Sequence, residues 1–202
     1  MVYDRLLERR IGGRERPDHV VLVLTETDLL RADGFETLDR FLGWCRGLEI
    51  PRVRVNVDVL DADDAIVDAV RTGLSDLDES PAVATHDGEL DGSAGEGDYV
   101  VSVGIGGRSE FVGSLRALAA EVAEGAISPE DVEGEDVERH LRHDGEPDVV
   151  IKTGGQHLTD FMIWQSVYSE LYFTDVNWQN FRRRDLLRSI RDYQDRERRF
   201  GR

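Results

Sequence analysis

Residues 148–181 read DVVIKTGGQHLTDFMIWQSVYSELYFTDVNWQNF, and this stretch decides the fold and the functional reading. It opens on a continuous apolar run, Asp148–Ile151, the pattern of a strand buried on both faces. A Thr-Gly-Gly turn follows, then an aromatic-rich segment with helical spacing over Asp160–Ser169 and a short final strand at Leu171–Phe173. A strand leading into a glycine turn beside cationic and hydroxyl side chains is what a diphosphate site requires. Backbone N–H groups converge at such a turn, here formed with Gly155, and Lys152, His157 and Thr159 could reach the same anion. Gly-Gly turns are common, so this spacing alone does not separate a diphosphate site from a plain loop.

Outward from this stretch, strand and helix patterns alternate. Residues 1–18 predict a short amphipathic helix with Leu6, Leu7 and Ile11 on one side, ended by Gly12-Gly13. Val20–Leu24 is a buried strand, and Val53–Val59 alternates strictly as a second. Phe35, Leu38, Leu42 and Cys45 lie at helical spacing after Gly34, and Ile66, Val67, Val70 and Leu74 form another helical stripe. Residues 75–98 are acidic and glycine-rich and are expected to form a mobile loop, with Pro81–Ala84 as an edge strand. Tyr99–Val103 is a strand running into Gly104–Arg108, and Phe111, Leu115, Leu118 and Val122 form the helical face that follows. Ser128-Pro129-Glu130-Asp131 reads as a helix start, and Arg184–Phe200 as a charged helix with Leu186, Leu187, Ile190 and Tyr193 inward. This order predicts a single α/β domain, residues 1–202, with a mainly parallel central sheet flanked by helices. Ligands in such folds sit at the C-terminal strand ends, which places Thr25–Asp28, Gly104–Arg108 and Lys152–Thr159 on one rim.

The formal charge is −17, from 42 acidic against 25 basic residues, and Lys152 is the single lysine, leaving 24 arginines. A charge of this sign argues against nonspecific nucleic-acid binding, which needs a basic stripe. An acidic, lysine-poor surface reads as adaptation to high salt, with an acidic partner-binding surface as the alternative. The lone Cys45 excludes an intramolecular disulfide and fits a reducing, cytoplasmic setting, as a small core side chain. No apolar run approaches membrane-spanning length and no signal-peptide core is present, so any membrane contact is expected to be peripheral. His140 and His143 are spaced for a metal on a helix, but no third ligand accompanies them, and a solvated face is the simpler reading.

WQSVYSELYFTDVNWQNF, following KTGG, resembles the C-terminal signature of the cis-prenyltransferases, the undecaprenyl and dehydrodolichyl diphosphate synthases. RPDHVVLVL resembles the family's opening strand, GIGGRSEFVGSLRALAAEVAEGAISPEDV its Tyr-Gly-Gly-Arg segment and following helix, and RDYQDRERRFGR its C-terminal helix. The resemblance implies the cis-prenyltransferase fold. It also implies an activity, condensation of an allylic diphosphate with isopentenyl diphosphate, that needs cations, N–H donors and Mg²⁺. By the same resemblance, Arg108 and Lys152, Gly155, His157 and Thr159 stand at diphosphate-binding positions, and Glu170 at a metal-binding one. Trp164, Tyr168 and Tyr172 belong to the core or the dimer interface, and Arg199 and Gly201 to an Arg-x-Gly tail that completes a partner's site.

The chain departs from the family where the allylic diphosphate is bound. The family's Asp-Gly-Asn-x-Arg loop is replaced by Thr25-Glu26-Thr27-Asp28-Leu29, with Thr25 at the catalytic Asp position and no Arg. Its Phe-Ser-x-Glu-Asn loop becomes Asp58-Val59-Leu60-Asp61, and its Arg-Thr-Ser-Gly-Glu-x-Arg-x-Ser becomes Lys152–Thr159, one residue shorter. Glu26 and Asp28 put negative charge where a polyanion would sit, a repulsion of ~1 kcal/mol per contact pair even in high dielectric. This pattern resembles the non-catalytic partner subunit of two-chain enzymes, the Nogo-B-receptor type. The expectation is a catalytically degenerate subunit with no cofactor of its own, Mg²⁺ belonging to an active partner. Its partner would be a homologous catalytic chain or a second copy, with isopentenyl diphosphate held weakly if at all. The alternatives are a stand-alone prenyltransferase with an altered allylic substrate, and a binding or regulatory protein without prenyl chemistry.

Overall fold

A computed structural model of the chain describes residues 7–9, 11–12, 14–59, 64–79, 81–85, 90–91, 98–141, 145–154, 162–167 and 169–196. At its centre is a seven-stranded sheet in the order β4-β3-β5-β2-β1-β6-β7. The strands are β1 His19–Thr25, β2 Arg52–Asp58, β3 Ala82–Thr85, β4 Leu90–Asp91, β5 Asp98–Val103, β6 Val149–Thr153 and β7 Glu170–Thr174. All pairings are parallel except β3 with β4. The helices are α1 Glu26–Leu30, α2 Gly34–Gly47, α3 Asp64–Ser75, α4 Gly107–Ala123, α5 Gly134–Glu138 and α6 Arg183–Asp195. The predicted α/β domain with a parallel sheet is what forms.

Strand direction and handedness assign the helices to faces. From β1 the chain steps one way across the sheet to β2 and β3, then the other way from β5 to β6 and β7. Right-handed crossovers therefore put α2 and α3 on one face and α4 and α5 on the other. The pleat sends Val20, Leu22 and Leu24 of β1 toward the first face and Val21 and Val23 toward the second. On the first face, Leu38, Phe41, Leu42 and Cys45 of α2, Val67, Val70 and Leu74 of α3 and Leu186, Leu187 and Ile190 of α6 close a single apolar core. Cys45 is fully buried there, and burial raises its thiol pKa well above the ordinary value, with Glu79 adding to the shift. On the second face the buried apolar cluster among the described residues is Val21, Val23, Val150 and Met162. Beside it on the same face lie the buried polar side chains of Arg54, Asn56, Ser102 and Lys152.

Several local expectations change. Met162–Val167 is a run of turns instead of part of an Asp160–Ser169 helix. Met162 has φ +33°, which interrupts the helical repeat. The Pro81–Ala84 strand forms as Ala82–Thr85 but is not the edge, because Leu90–Asp91 turns back and pairs outside it. Between β2 and β5 this segment therefore contributes two strands, β3 and β4, instead of the single edge strand expected. Ser128 makes no side-chain cap and Pro129–Asp131 is one 3₁₀ turn; the α-helix starts only at Gly134, capped by Glu133. Leu7 and Ile11 are buried on helical backbone as the N-terminal pattern predicts, while Leu6 and Gly13 lie outside the described residues. The last helix keeps Leu186, Leu187, Ile190 and Tyr193 inward but is described only to Asp195.

Candidate functional site

β1 and β6 are neighbours fastened together at their starts. The Asp148 carboxylate accepts from the Asp18 and His19 backbone N–H groups at 2.8 and 3.1 Å, and Asp148 N donates to His19 O at 2.9 Å. His19 is buried on the second face; burial, then the Arg54 and Arg52 guanidiniums, lower its pKa to about 4. Register carries the two strands side by side, Val21 beside Val150 and Val23 beside Lys152, toward their C-terminal ends. Thr25, Gly104 and Lys152–Gly154 share that rim, as the sequence predicts.

The end of β1 is closed on itself. Thr25 caps α1, its Oγ1 accepting from Asp28 N at 3.1 Å and donating to Asp28 Oδ2 at 2.8 Å. Thr25 N donates to the same carboxylate oxygen at 3.2 Å, completing a capping box. Two backbone N–H groups at this helix start are thus satisfied within the chain, Asp28 N by the Thr25 hydroxyl and Thr25 N by the Asp28 carboxylate, which also brings negative charge. The spacing Thr25-x-x-Asp28 is the signal in the sequence that reports this role for Asp28. The connection onward is equally tight: a Cβ on Gly34 would lie 2.1 Å from Leu29 O, so no side chain fits where α1 turns into α2.

The C-terminal signature holds that junction in place. Trp178, fully buried against Phe41 and Phe181, donates through Nε1 to Gly34 O at 2.9 Å. Gln179 Nε2 donates to Asp28 O at 2.8 Å. Trp178 fills the core; the clamp made by Gln179 has no separate sequence signal, because it depends on contacts 151 residues apart.

The end of β6 is different. Lys152 is 7% exposed, on the same face as Val23 and Phe173, and its Nζ donates to Thr153 O at 3.2 Å. Gly154 follows with φ +71° and open space around its Cα, so the chain turns sharply out of the strand. Gly155, His157 and Thr159 lie outside the described residues, as do Tyr168, His143, Arg199 and Gly201. Arg108 is exposed in the first turn of α4, on the same rim but at the end of β5.

Glu170 is not brought to Lys152. It begins β7 opposite Val149, whereas Lys152 pairs with Phe173, three residues further along. At ~3.3 Å per residue the two positions are about 10 Å apart along the strands. The Glu170 carboxylate is instead paired with the Arg196 guanidinium. Trp164 stacks on Phe111 with ring centroids 5.8 Å apart and donates through Nε1 to Glu138 at 3.1 Å. Tyr172 packs against the main core, and burial raises its phenol pKa, with Asp192 adding to the shift. Nearby, Ile163, Val167 and Phe173 are exposed apolar side chains.

Mg²⁺ does not fit this end of β1. Thr25 supplies a hydroxyl already bonded to Asp28, Asp28 is turned back into its cap, and Glu170 sits at the other end of the sheet. Among the described residues no group of three His, Cys, Asp or Glu side chains could hold a metal ion. No helix among them is long and apolar enough to cross a membrane.

Comparison with known proteins agrees with the fold and the signature. Residues 72–201 match the Prenyltransf family model, described as "Putative undecaprenyl diphosphate synthase". A tritrans,polycis-undecaprenyl-diphosphate synthase (geranylgeranyl-diphosphate specific) of Methanocaldococcus jannaschii is 43% identical over 106 residues, 50% of this chain and 38% of that protein. The chain thus spans well under half the length of that relative in the matched region. Isoprenyl transferase 1 of Corynebacterium efficiens is 32% identical over 246 aligned positions, covering 99% of this chain and 96% of that protein. That alignment is longer than this 202-residue chain, so the relative carries segments that this chain lacks. Lavandulyl diphosphate synthase from Lavandula x intermedia, solved with dimethylallyl diphosphate, superposes with a TM-score of 0.76 at 20% identity. The match covers 93% of this chain and 99% of that one, and it reports the fold. With a family model over more than half its length and a relative aligned nearly end to end, the chain belongs to the undecaprenyl diphosphate synthase-like cis-prenyltransferase family.

Proposed function

We propose that this chain is a catalytically degenerate cis-prenyltransferase subunit that supports a homologous catalytic chain in making long polyprenyl diphosphates. The observation that carries the reading is the capping box at the end of β1. Where the family resemblance places the carboxylate and N–H groups for an allylic diphosphate, Thr25 and Asp28 bond each other, and Asp28 adds charge of the wrong sign. Ionising an allylic diphosphate demands donors and cations aimed at the leaving group, and here two of the N–H donors at that helix start, Thr25 N and Asp28 N, are already engaged. The match to the family model, which begins only at residue 72, after β2, supports the same reading.

The end of β6 retains a cation, Lys152, suited to hold a diphosphate without transforming it. Arg199 and Gly201 are assigned to the partner's site by the resemblance of the chain's last residues. The −17 charge is read as adaptation to a high-salt cytoplasm. The test incubates the purified chain with Mg²⁺, geranylgeranyl diphosphate and isopentenyl diphosphate, alone and with an active homologue of the same cell. No turnover alone, and a product yield or chain length altered on mixing and restored by Arg199→Ala, is the expected result. Turnover by the isolated chain sinks the reading, as does a mixture that behaves like the homologue alone.

A further inference from the structure

The last helix ends where its sequence gives no reason to end. The pattern reads Arg184–Phe200 as one charged helix; Arg196, Glu197, Arg198 and Arg199 are good helix formers, and neither proline nor glycine comes before Gly201. Yet α6 stops at Asp195, and Arg196 is extended, with φ −80° and ψ 126°. A helix that stops without a breaker is stopped by tertiary contacts, which override propensity.

Arg196 makes such a contact. Its guanidinium pairs with the Glu170 carboxylate, and its Nη1 also donates to Leu171 O at 3.4 Å. Glu170 stands opposite Val149, on the first face, so the pair ties the end of α6 to the start of β7, the last strand in the sheet order. Tyr172, two residues on along that face, lies in the field of Asp192, Arg188, Asp185 and Arg191, so α6 runs over β7. On its other side the last turn is held by the N-terminal segment. Gln194 Nε2 donates to Ile11 O at 3.4 Å and to Glu15 O at 2.8 Å, and Asp195 pairs with Arg14. With Gln194 and Asp195 fixed there, Arg196 is the first residue able to turn, and Glu170 is the charge it turns to.

We propose that Glu170 is a positioning residue that, through Arg196, ends α6 and aims Arg199 and Gly201 toward a neighbouring subunit. From Arg196 to Arg199 a continued helix advances ~4.5 Å and an extended chain ~10 Å, so the turn at Arg196 relocates Arg199 by several ångströms. What these residues do there rests on the subunit reading above; how they are aimed rests on α6 and β7 alone. The pair is partly exposed and adds little to stability, so its variants keep the fold.

The test has two arms, both on the full chain. Backbone chemical shifts of residues 190–200 are compared in wild type, Glu170→Gln, Glu170→Asp and the charge-reversed pair Glu170→Arg with Arg196→Glu, at matched melting temperature. Helical shifts are expected to stop at Asp195 in wild type and the reversed pair, and to run past Arg196 in Glu170→Gln. Each protein is then mixed with an active homologue of the same cell. Glu170→Gln is expected to shrink the effect of mixing at least fivefold, with Glu170→Asp and the reversed pair recovering most of it. The proposal is overturned if the helix ends at the same residue in wild type and Glu170→Gln, or if the reversed pair behaves like Glu170→Gln. It is equally overturned if wild type and Glu170→Gln change the homologue's product alike. A wild type that leaves the homologue unchanged defeats the subunit reading instead, and the shifts still decide whether Glu170 ends the helix.

Discussion

β1 and β6 lie side by side, start from one shared carboxylate and end on one rim, yet they end in opposite ways. The first runs into a helix start sealed by its own Thr25 and Asp28; the second ends on a buried lysine and a left-handed glycine. Both ends rest on the same packed sheet, so the difference is local. Under the proposed reading, one anion site could be altered without disturbing its neighbour, because each strand end is shaped by the few residues that follow it.

The largest expected effect breaks the clamp that keeps the β1 end closed. Trp178→Ala removes a fully buried indole and its bond to Gly34 O, and a loss of ~3–5 kcal/mol in denaturant unfolding is expected. A loss below ~1 kcal/mol would mean that the β1 junction does not depend on the C-terminal signature.

The shared start gives a pH dependence. His19 has a folded pKa of about 4 against an ordinary 6.5, so between those values the unfolded chain takes up a proton that the folded chain refuses. Its contribution is therefore intact above about pH 6.5 and is lost as pH falls toward 4. Between pH 7 and 4.5 the wild type is expected to lose roughly 2–3 kcal/mol more than His19→Gln, read from paired urea melts. Equal losses in the two proteins would show that His19 is not buried as a neutral ring.

The two strand ends are separated by a smaller pair of effects. Lys152→Ala is expected to weaken inorganic diphosphate binding about tenfold, ~1.4 kcal/mol, in calorimetry at low salt. Unchanged affinity would remove the diphosphate assignment from β6. Asp28→Ala opens the cap on α1, frees Thr25 N and removes a negative charge, and is expected to cost about 1 kcal/mol of stability with a small gain of diphosphate affinity. Unchanged affinity would show that the capping box is not what keeps an anion from the β1 end.

The sheet was legible because its strands carry the apolar patterns of buried parallel strands: Val20–Leu24, Val53–Val57 and Val149–Ile151 are all inside. Helices α2, α3 and α6 were legible from one apolar stripe each, since one face of the sheet takes all three. The second face was harder, because polar side chains such as Arg54, Asn56 and Ser102 sit on it and give no stripe for a covering helix to match. The aromatic segment shows the same limit: its spacing suits a helix, but Met162 adopts a backbone that spacing does not report. At the site, Thr25 and Lys152 were found from the strands they end, while the cap spelled by Thr25-x-x-Asp28 went unread, Asp28 being taken only as negative charge. The register of Glu170, opposite Val149 and three positions back from the partner of Lys152, was not legible, because likeness to a motif does not report strand pairing.

Lys152 has one more consequence. A protease that cuts only after lysine has a single target in this chain, and that target is 7% exposed on the strand between β1 and the edge strand β7. Such an enzyme stays idle while β6 is paired and cleaves once when the strand leaves its neighbours, giving two fragments of known size. With protease in excess, so that cleavage outpaces reclosing, the rate at which they form counts openings of the β6 side of the sheet, with no label attached.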